Sequence, residues 1–157
     1  MKIKHRKGSL FEARSKGGSS ADLVLVHAVN SVGVWGAGIA AEFRGRFPWA
    51  YNQYKRDCIT QGMVGRFEGY IATDAAGDHP IIGCLFTSGG FGSQLDPMLT
   101  ILRQTESALK SLAAALPKEF EVHSNRFNSG LFGVPWHLTE ALIADLDRPG
   151  VWTVWTP

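Results

Sequence analysis

Long apolar stretches are absent from this sequence. Nowhere in its 157 residues is there a run of about 18 apolar residues, the length a membrane-crossing helix needs. The positively charged opening, MKIKHRKGSLFEARSKGGSS, is not followed by the apolar segment of a secretory signal. No membrane association is expected. Cysteine is scarce as well: Cys58 and Cys84 are the only two, without CxxC spacing, in segments that read as helix and buried strand. That excludes a disulfide scaffold and favours a reducing compartment, the cytosol or the nucleus. Excess charge of one sign is missing too. Sixteen Lys and Arg stand against fourteen Asp and Glu, a net charge of +2, so no nucleic-acid partner is implied. Charged residues make up only 19% of the chain and hydrophobic ones 45%, which suits a packed core and argues against disorder. One domain over residues 1–157, acting as a monomer, is the expectation.

Glycine, by contrast, is plentiful, and its placement repeats a pattern. Asp22 to Asn30, DLVLVHAVN, is a near-continuous apolar run suited to a strand covered on both faces. It leads through Ser31 to Gly38, rich in glycine, into a helical segment from Ile39 to Arg46 that Pro48 stops. A second helix is expected from Pro48 to Thr60, with Gly62 as its C-cap. Strands are expected over Val64–Ala72 and Ile81–Thr87. Asp96 and Pro97 read as N-cap and first position of the longest helix, whose apolar period through Met98, Ile101, Leu102, Leu109, Leu112 and Leu116 ends at Pro117. Strand character resumes over Phe120–Ser124, and a second glycine loop, Asn128 to Pro135, enters the helical HLTEALIADL segment. Strands at Val151–Thr156 and around Ile3 complete an α/β pattern with helices on both faces of the sheet.

A glycine-rich turn between a strand and a helix aims backbone N–H groups, and the positive end of the helix dipole, at a bound anion. Two such turns, both beyond the carboxyl ends of strands, are expected to converge on one ligand. The spacing of Gly33, Gly36 and Gly38 is GxxGxG, which is not the dinucleotide fingerprint, and neither loop carries the Gly-Lys-Ser/Thr of a P-loop. The ligand is expected to be nucleotide-like without being NAD or ATP held in those ways. No His, Cys or Asp cluster has metal-ligand spacing, so a metal-free, cofactor-free mechanism is expected.

These residues carry a resemblance to the macro domain family of ADP-ribose binders. VHAVNSVGVWGAGIAAEF (Val26–Phe43) resembles the family's first ligand loop, and NSGLFGVPW (Asn128–Trp136) resembles its second. With the strand end Cys84–Ser88, CLFTS, the set is most similar to the yeast-type ADP-ribose 1″-phosphate phosphatases that clear a by-product of tRNA splicing. The resemblance implies a three-layer α/β/α macro domain with a mixed central sheet, ADP-ribose and ADP-ribose 1″-phosphate as ligands, and phosphomonoester hydrolysis as the activity. A non-catalytic reader of ADP-ribose and a hydrolase acting on ADP-ribosylated protein are the competing readings.

Carried over to this chain, the resemblance puts Asn30 on the distal ribose and Gly36, Ala37, Gly38 and Ile39 along the diphosphate and distal ribose. Ser129, Gly130, Leu131, Phe132 and Gly133 then wrap the phosphates from the other side, with Phe132 on the distal sugar, while Leu10 and Trp155 lie near the adenine. Many members carry Asp after the first-turn glycine to hold the adenine amine, where this chain has Ser9. Some roles stay open at this level. Asn30 is a ligand contact or a cap of its own turn. Trp155 is an adenine neighbour or core closure, and Trp35 is a lid or packs back on the next helix. His27, three residues before Asn30, is the candidate catalytic group as general base or cationic stabiliser, or else a satisfied core histidine. His123 is read as structural, and Trp136 and Trp152 as core.

Overall fold

The structure, a computed structural model, describes residues 1–60, 68–90 and 92–157. Among the described residues, six strands form one sheet: β1 (Lys2–Lys7), β2 (Leu23–Asn30), β3 (Gly69–Ala72), β4 (Ile81–Ser88), β5 (Glu121–Ser124) and β6 (Val151–Thr156), in the order β1-β6-β5-β2-β4-β3. All neighbours are parallel except β3, which runs antiparallel to β4 at the edge. Four helices cover the faces: α1 (Gly38–Arg46), α2 (Pro48–Thr60), α3 (Met98–Ala115) and α4 (Trp136–Ala144). The three-layer α/β/α architecture with a mixed sheet is therefore as expected.

Strand alternation divides the core in two. On β2, Leu23, Leu25 and Val29 face a cluster with Phe43 of α1 and Tyr51 and Tyr54 of α2. Val24 and Val26 face the opposite cluster with Ala108, Leu109 and Leu112 of α3 and Ile143 of α4. This two-sided burial is why β2 reads as an unbroken apolar run. The α3 helix lies close to the sheet because two strand positions opposite it carry no side chain. A Cβ on Gly69 would stand 2.6 Å from Leu112 Cβ, and one on Gly83 would meet Val26 Cγ2 of β2 at 3.0 Å and Leu112 Cδ1 of α3 at 3.5 Å.

Some expected boundaries move. Asp96 does not cap α3: Pro97 occupies the N-cap position, and the Asp96 carboxylate accepts the Gly89 N–H at 2.8 Å, recruited by the turn after β4. The strand at Glu121 starts one residue later than read, and α4 begins at Trp136 rather than His137. Gly62 as C-cap and Val64 as a strand start fall outside the described residues, and β3 begins at Gly69.

Candidate functional site

Beyond the carboxyl ends of β2 and β5 lie two adjoining cavities of about 760 and 910 Å³. Ile39, Asn125, Arg126 and Gly130 line both, so the two form one bipartite cleft. Each part by itself falls within the range of about 300–1,000 Å³ common to small-molecule sites. Every ligand residue expected from the sequence lines one part or the other. Asn30, Gly36, Ala37, Gly38, Leu131 and Phe132 line the first, Leu10, Ser129, Gly133 and Trp155 the second.

The first loop is held from beneath. Asn30 Nδ2 donates to the Val34 carbonyl at 2.7 Å, and its Oδ1 accepts from the N–H groups of Val32 and Val34 at 3.1 and 3.3 Å. The Tyr54 hydroxyl donates to the Asn30 carbonyl, and the Tyr51 hydroxyl to the Gly33 carbonyl at 3.3 Å. Burial pushes the Tyr54 phenol well above its ordinary pKa, so it remains a donor. Trp35 is 0% exposed, with its ring 5.0 Å from Tyr54 and 5.3 Å from Tyr51. It packs back and is not a lid. Asn30 both lines the cleft and spends its amide on its own turn. Because the loop is anchored on that side, Gly36, Ala37 and Gly38 stay exposed toward the cleft. Ala37 at the N-cap offers no side-chain acceptor, so the first N–H groups of α1 have no cap.

The second loop hangs from Asn128, in a left-handed conformation at φ 67°. Its Oδ1 accepts the Thr87 hydroxyl at 3.0 Å, and its Nδ2 donates to the Thr105 hydroxyl at 2.8 Å, tying the loop to β4 and α3. The Val134 N–H returns to the Asn128 carbonyl at 2.8 Å, closing a tight loop over residues 129–133. Two side-chain atoms here, Asn125 Oδ1 and Ser129 Oγ, are buried without a hydrogen-bond partner among the described residues. Such groups are costly unless something else satisfies them.

At the second cavity, Trp155 closes the core and also borders the cavity. It is 4% exposed, its Nε1 donates to His123 Nδ1 at 3.0 Å, the Arg6 guanidinium lies 4.8 Å over its ring, and it still lines the cavity beside Leu10. Accepting that bond makes His123 neutral, and burial lowers its pKa in the same direction. Ser9 uses its hydroxyl to accept the Phe11 N–H at 3.2 Å, in a capping box that Glu12 completes, so it serves the turn that presents Leu10. Trp152 is core, whereas Trp136 packs edge-on against Phe127 at 5.7 Å and also lines the cavity.

The expectation for His27 as a catalytic group needs correction. Its ring is 0% exposed, stacks on Phe43 at 4.1 Å, meets Trp35 edge-on at 4.6 Å and lines neither cavity. Strand alternation turns it toward α1, and the cleft begins one residue further along β2, where Ala28, Val29 and Asn30 line it. Its Nε2 lies 3.8 Å from Cys84 Sγ, and its Nδ1 has no hydrogen-bond partner among the described residues. Burial alone lowers its pKa to about 3, so it is neutral at ordinary pH. It belongs to the core. Sequence reading missed Asn125 and Arg126 as cleft residues, their only signal being a position between β5 and the second glycine loop, and gave Asn128, the first residue of that loop, no anchoring role. Among the described residues no group of three or more His, Cys, Asp or Glu side chains is arranged to hold a metal ion.

The family model of the Macro domain matches residues 26–143. The chain is 36% identical over 156 residues to the ADP-ribose 1″-phosphate phosphatase of Lodderomyces elongisporus, with 94% of each chain covered. It is 33% identical over 164 residues to the protein of the same name from Chaetomium globosum, covering 94% of this chain and 85% of that one. Among solved structures, the macrodomain of Mycobacterium tuberculosis DarG superposes with a TM-score of 0.76 at 23% identity, over 99% of this chain and 97% of the other.

Proposed function

The chain belongs to the macro domain family, and we propose that its cleft binds ADP-ribose and that it hydrolyses ADP-ribose 1″-phosphate to ADP-ribose and phosphate. Relatives at 33–36% identity over most of the chain carry the name of that phosphatase, which supports the reading. The observation that carries it is the bipartite cleft, with one glycine-rich loop on each side. A nucleoside suits the end beside Leu10 and Trp155, and a second sugar suits the end beside Asn30 and Phe132. Clearance of a tRNA-splicing by-product in the cytoplasm or nucleus is proposed with it.

In the reaction, a water oxygen attacks phosphorus and the bond from phosphorus to the 1″ oxygen breaks. Phosphate departs, and the sugar oxygen takes a proton. The chain contributes positioning and N–H groups at the start of α1 and in the second loop, which stabilise charge on the phosphoryl oxygens. Among the described residues, Arg126 and Glu42 are the only charged side chains lining the cleft. That scarcity of proton-transfer groups also favours a second reading, a non-catalytic reader of ADP-ribose on proteins.

One incubation separates the two. The purified protein is given ADP-ribose 1″-phosphate, with and without EDTA, and in parallel an ADP-ribosylated protein. Phosphate release in both EDTA arms is expected. Binding without phosphate release leaves the reader, and release of ADP-ribose from protein identifies a side-chain hydrolase instead.

A further inference from the structure

Arg126 lies two residues beyond the end of β5 and stands at the meeting place of the two cavities, lining both. It is the one charged side chain among the described residues that borders the first cavity, and Glu42 borders only the second. Its guanidinium makes no ion pair, hydrogen bond or ring contact with any described residue, whereas Arg148, Arg14 and Arg6 are each engaged by the fold. The backbone around it is fixed: the Arg126 carbonyl accepts the Ser129 N–H at 3.3 Å, and Asn128 anchors the following loop to β4 and α3. A free cation on a rigid support at a cavity junction suits an anionic ligand group that crosses from one cavity to the other.

The geometry points to Arg126 as a specificity-determining residue that pairs with the diphosphate of the bound ligand. The inference rests on the proposed ADP-ribose reading. If the nucleoside lies beside Leu10 and Trp155 and the distal sugar beside Asn30 and Phe132, the diphosphate joining them passes Ile39, Asn125, Arg126 and Gly130. The N–H groups of the loops neutralise that charge only in part, and Arg126 adds a forked donor that can span two phosphate oxygens. The cleft thereby selects a pyrophosphate-linked ligand over an uncharged nucleoside.

Calorimetric titration of wild type, Arg126→Ala and Arg126→Lys with ADP-ribose and with adenosine tests this. Arg126→Ala is expected to weaken ADP-ribose binding about tenfold, the lower range for a charge-assisted pair at a partly exposed site. Adenosine binding stays unchanged. The affinity of Arg126→Ala for ADP-ribose also falls less steeply with added salt than that of wild type, and Arg126→Lys recovers part of the loss. Unchanged ADP-ribose affinity in Arg126→Ala overturns the assignment. So does an equal loss for adenosine, which would put the guanidinium on the base, and so does an unaltered salt dependence. Wild type that fails to bind ADP-ribose overturns the functional reading along with it.

Discussion

At the scale of the residue, two side chains decide how the site reads. His27 is held neutral by burial, its pKa lowered to about 3 from an unfolded value of 6.5. Because the folded pKa is depressed, the unfolded chain binds the proton more readily. Stability is then fully present above about pH 6.5 and is lost as pH falls toward 3, by up to about 1.4 kcal/mol per pH unit from this residue. In urea melts from pH 7 to 4, His27→Leu should flatten that slope relative to wild type. Its phosphate release per folded molecule should be unchanged, and a drop of about 10²-fold or more would instead return His27 to proton transfer. Gly38 is the second residue. It adopts φ 61°, and a Cβ there would lie 3.4 Å from Leu131 Cδ1, whose side chain is 70% exposed at the cleft. Gly38→Glu places bulk and negative charge at the expected diphosphate path, at a cost in backbone strain of about 1 kcal/mol. The circular dichroism spectrum should persist while calorimetric binding of ADP-ribose disappears.

Elements set the site through two anchoring schemes that differ in kind. The first loop rests on α2, whose tyrosines reach its carbonyls and whose aromatic rings surround Trp35. The second loop hangs from a polar side chain, Asn128, spliced between a strand and α3. The α3 helix must therefore sit close to the sheet, and Gly69 and Gly83 make room for it. Gly69→Ala drives a methyl within 2.6 Å of Leu112 Cβ at a point where backbone atoms of α3 are also 2.8 Å away. Neither neighbour is the free end of a flexible chain. A loss of about 1–3 kcal/mol in urea unfolding is expected, and a smaller effect would mean that β3 can shift away from the helix. Asp96 belongs to this scale too. From sequence it is a helix cap, but in the fold it serves the Gly89 turn, because a carboxylate goes to whichever N–H the tertiary arrangement leaves open.

At the scale of the whole molecule, the cleft draws its walls from both layers of helices, from the turn after the first strand and from the last strand. Leu10 follows β1, Trp155 lies in β6, and the two loops belong to opposite faces of the sheet. A ligand that bridges these parts stabilises the entire fold by mass action. At a free concentration of a hundred times its Kd, ADP-ribose should add about 2.7 kcal/mol, and a rise in Tm of roughly 5–10 °C is expected for a chain of this size. Differential scanning fluorimetry with ADP-ribose, and with adenosine as the uncharged control, measures it. No shift at saturating ADP-ribose would count against the cleft as its site.

How much of this could be read from sequence follows from the range of the interactions involved. The order of strands and helices, the two glycine loops and the residues that line the cleft were legible because each leaves a local mark. A two-sided strand is a continuous apolar run, a loop that must approach a phosphate is rich in glycine, and a helix shows its period. What tertiary structure decided concerns groups whose partners lie far along the chain. Trp35, Asn30 and Trp155 each had two readings in sequence. Packing on α2 decided the first, and for the other two it allowed both at once. His27 also had two readings, because nothing in DLVLVHAVN tells how far along the strand the cleft begins. Arg126 was overlooked for the complementary reason: its freedom from partners, and its place between two cavities, exist only once β5, α1 and the second loop have come together.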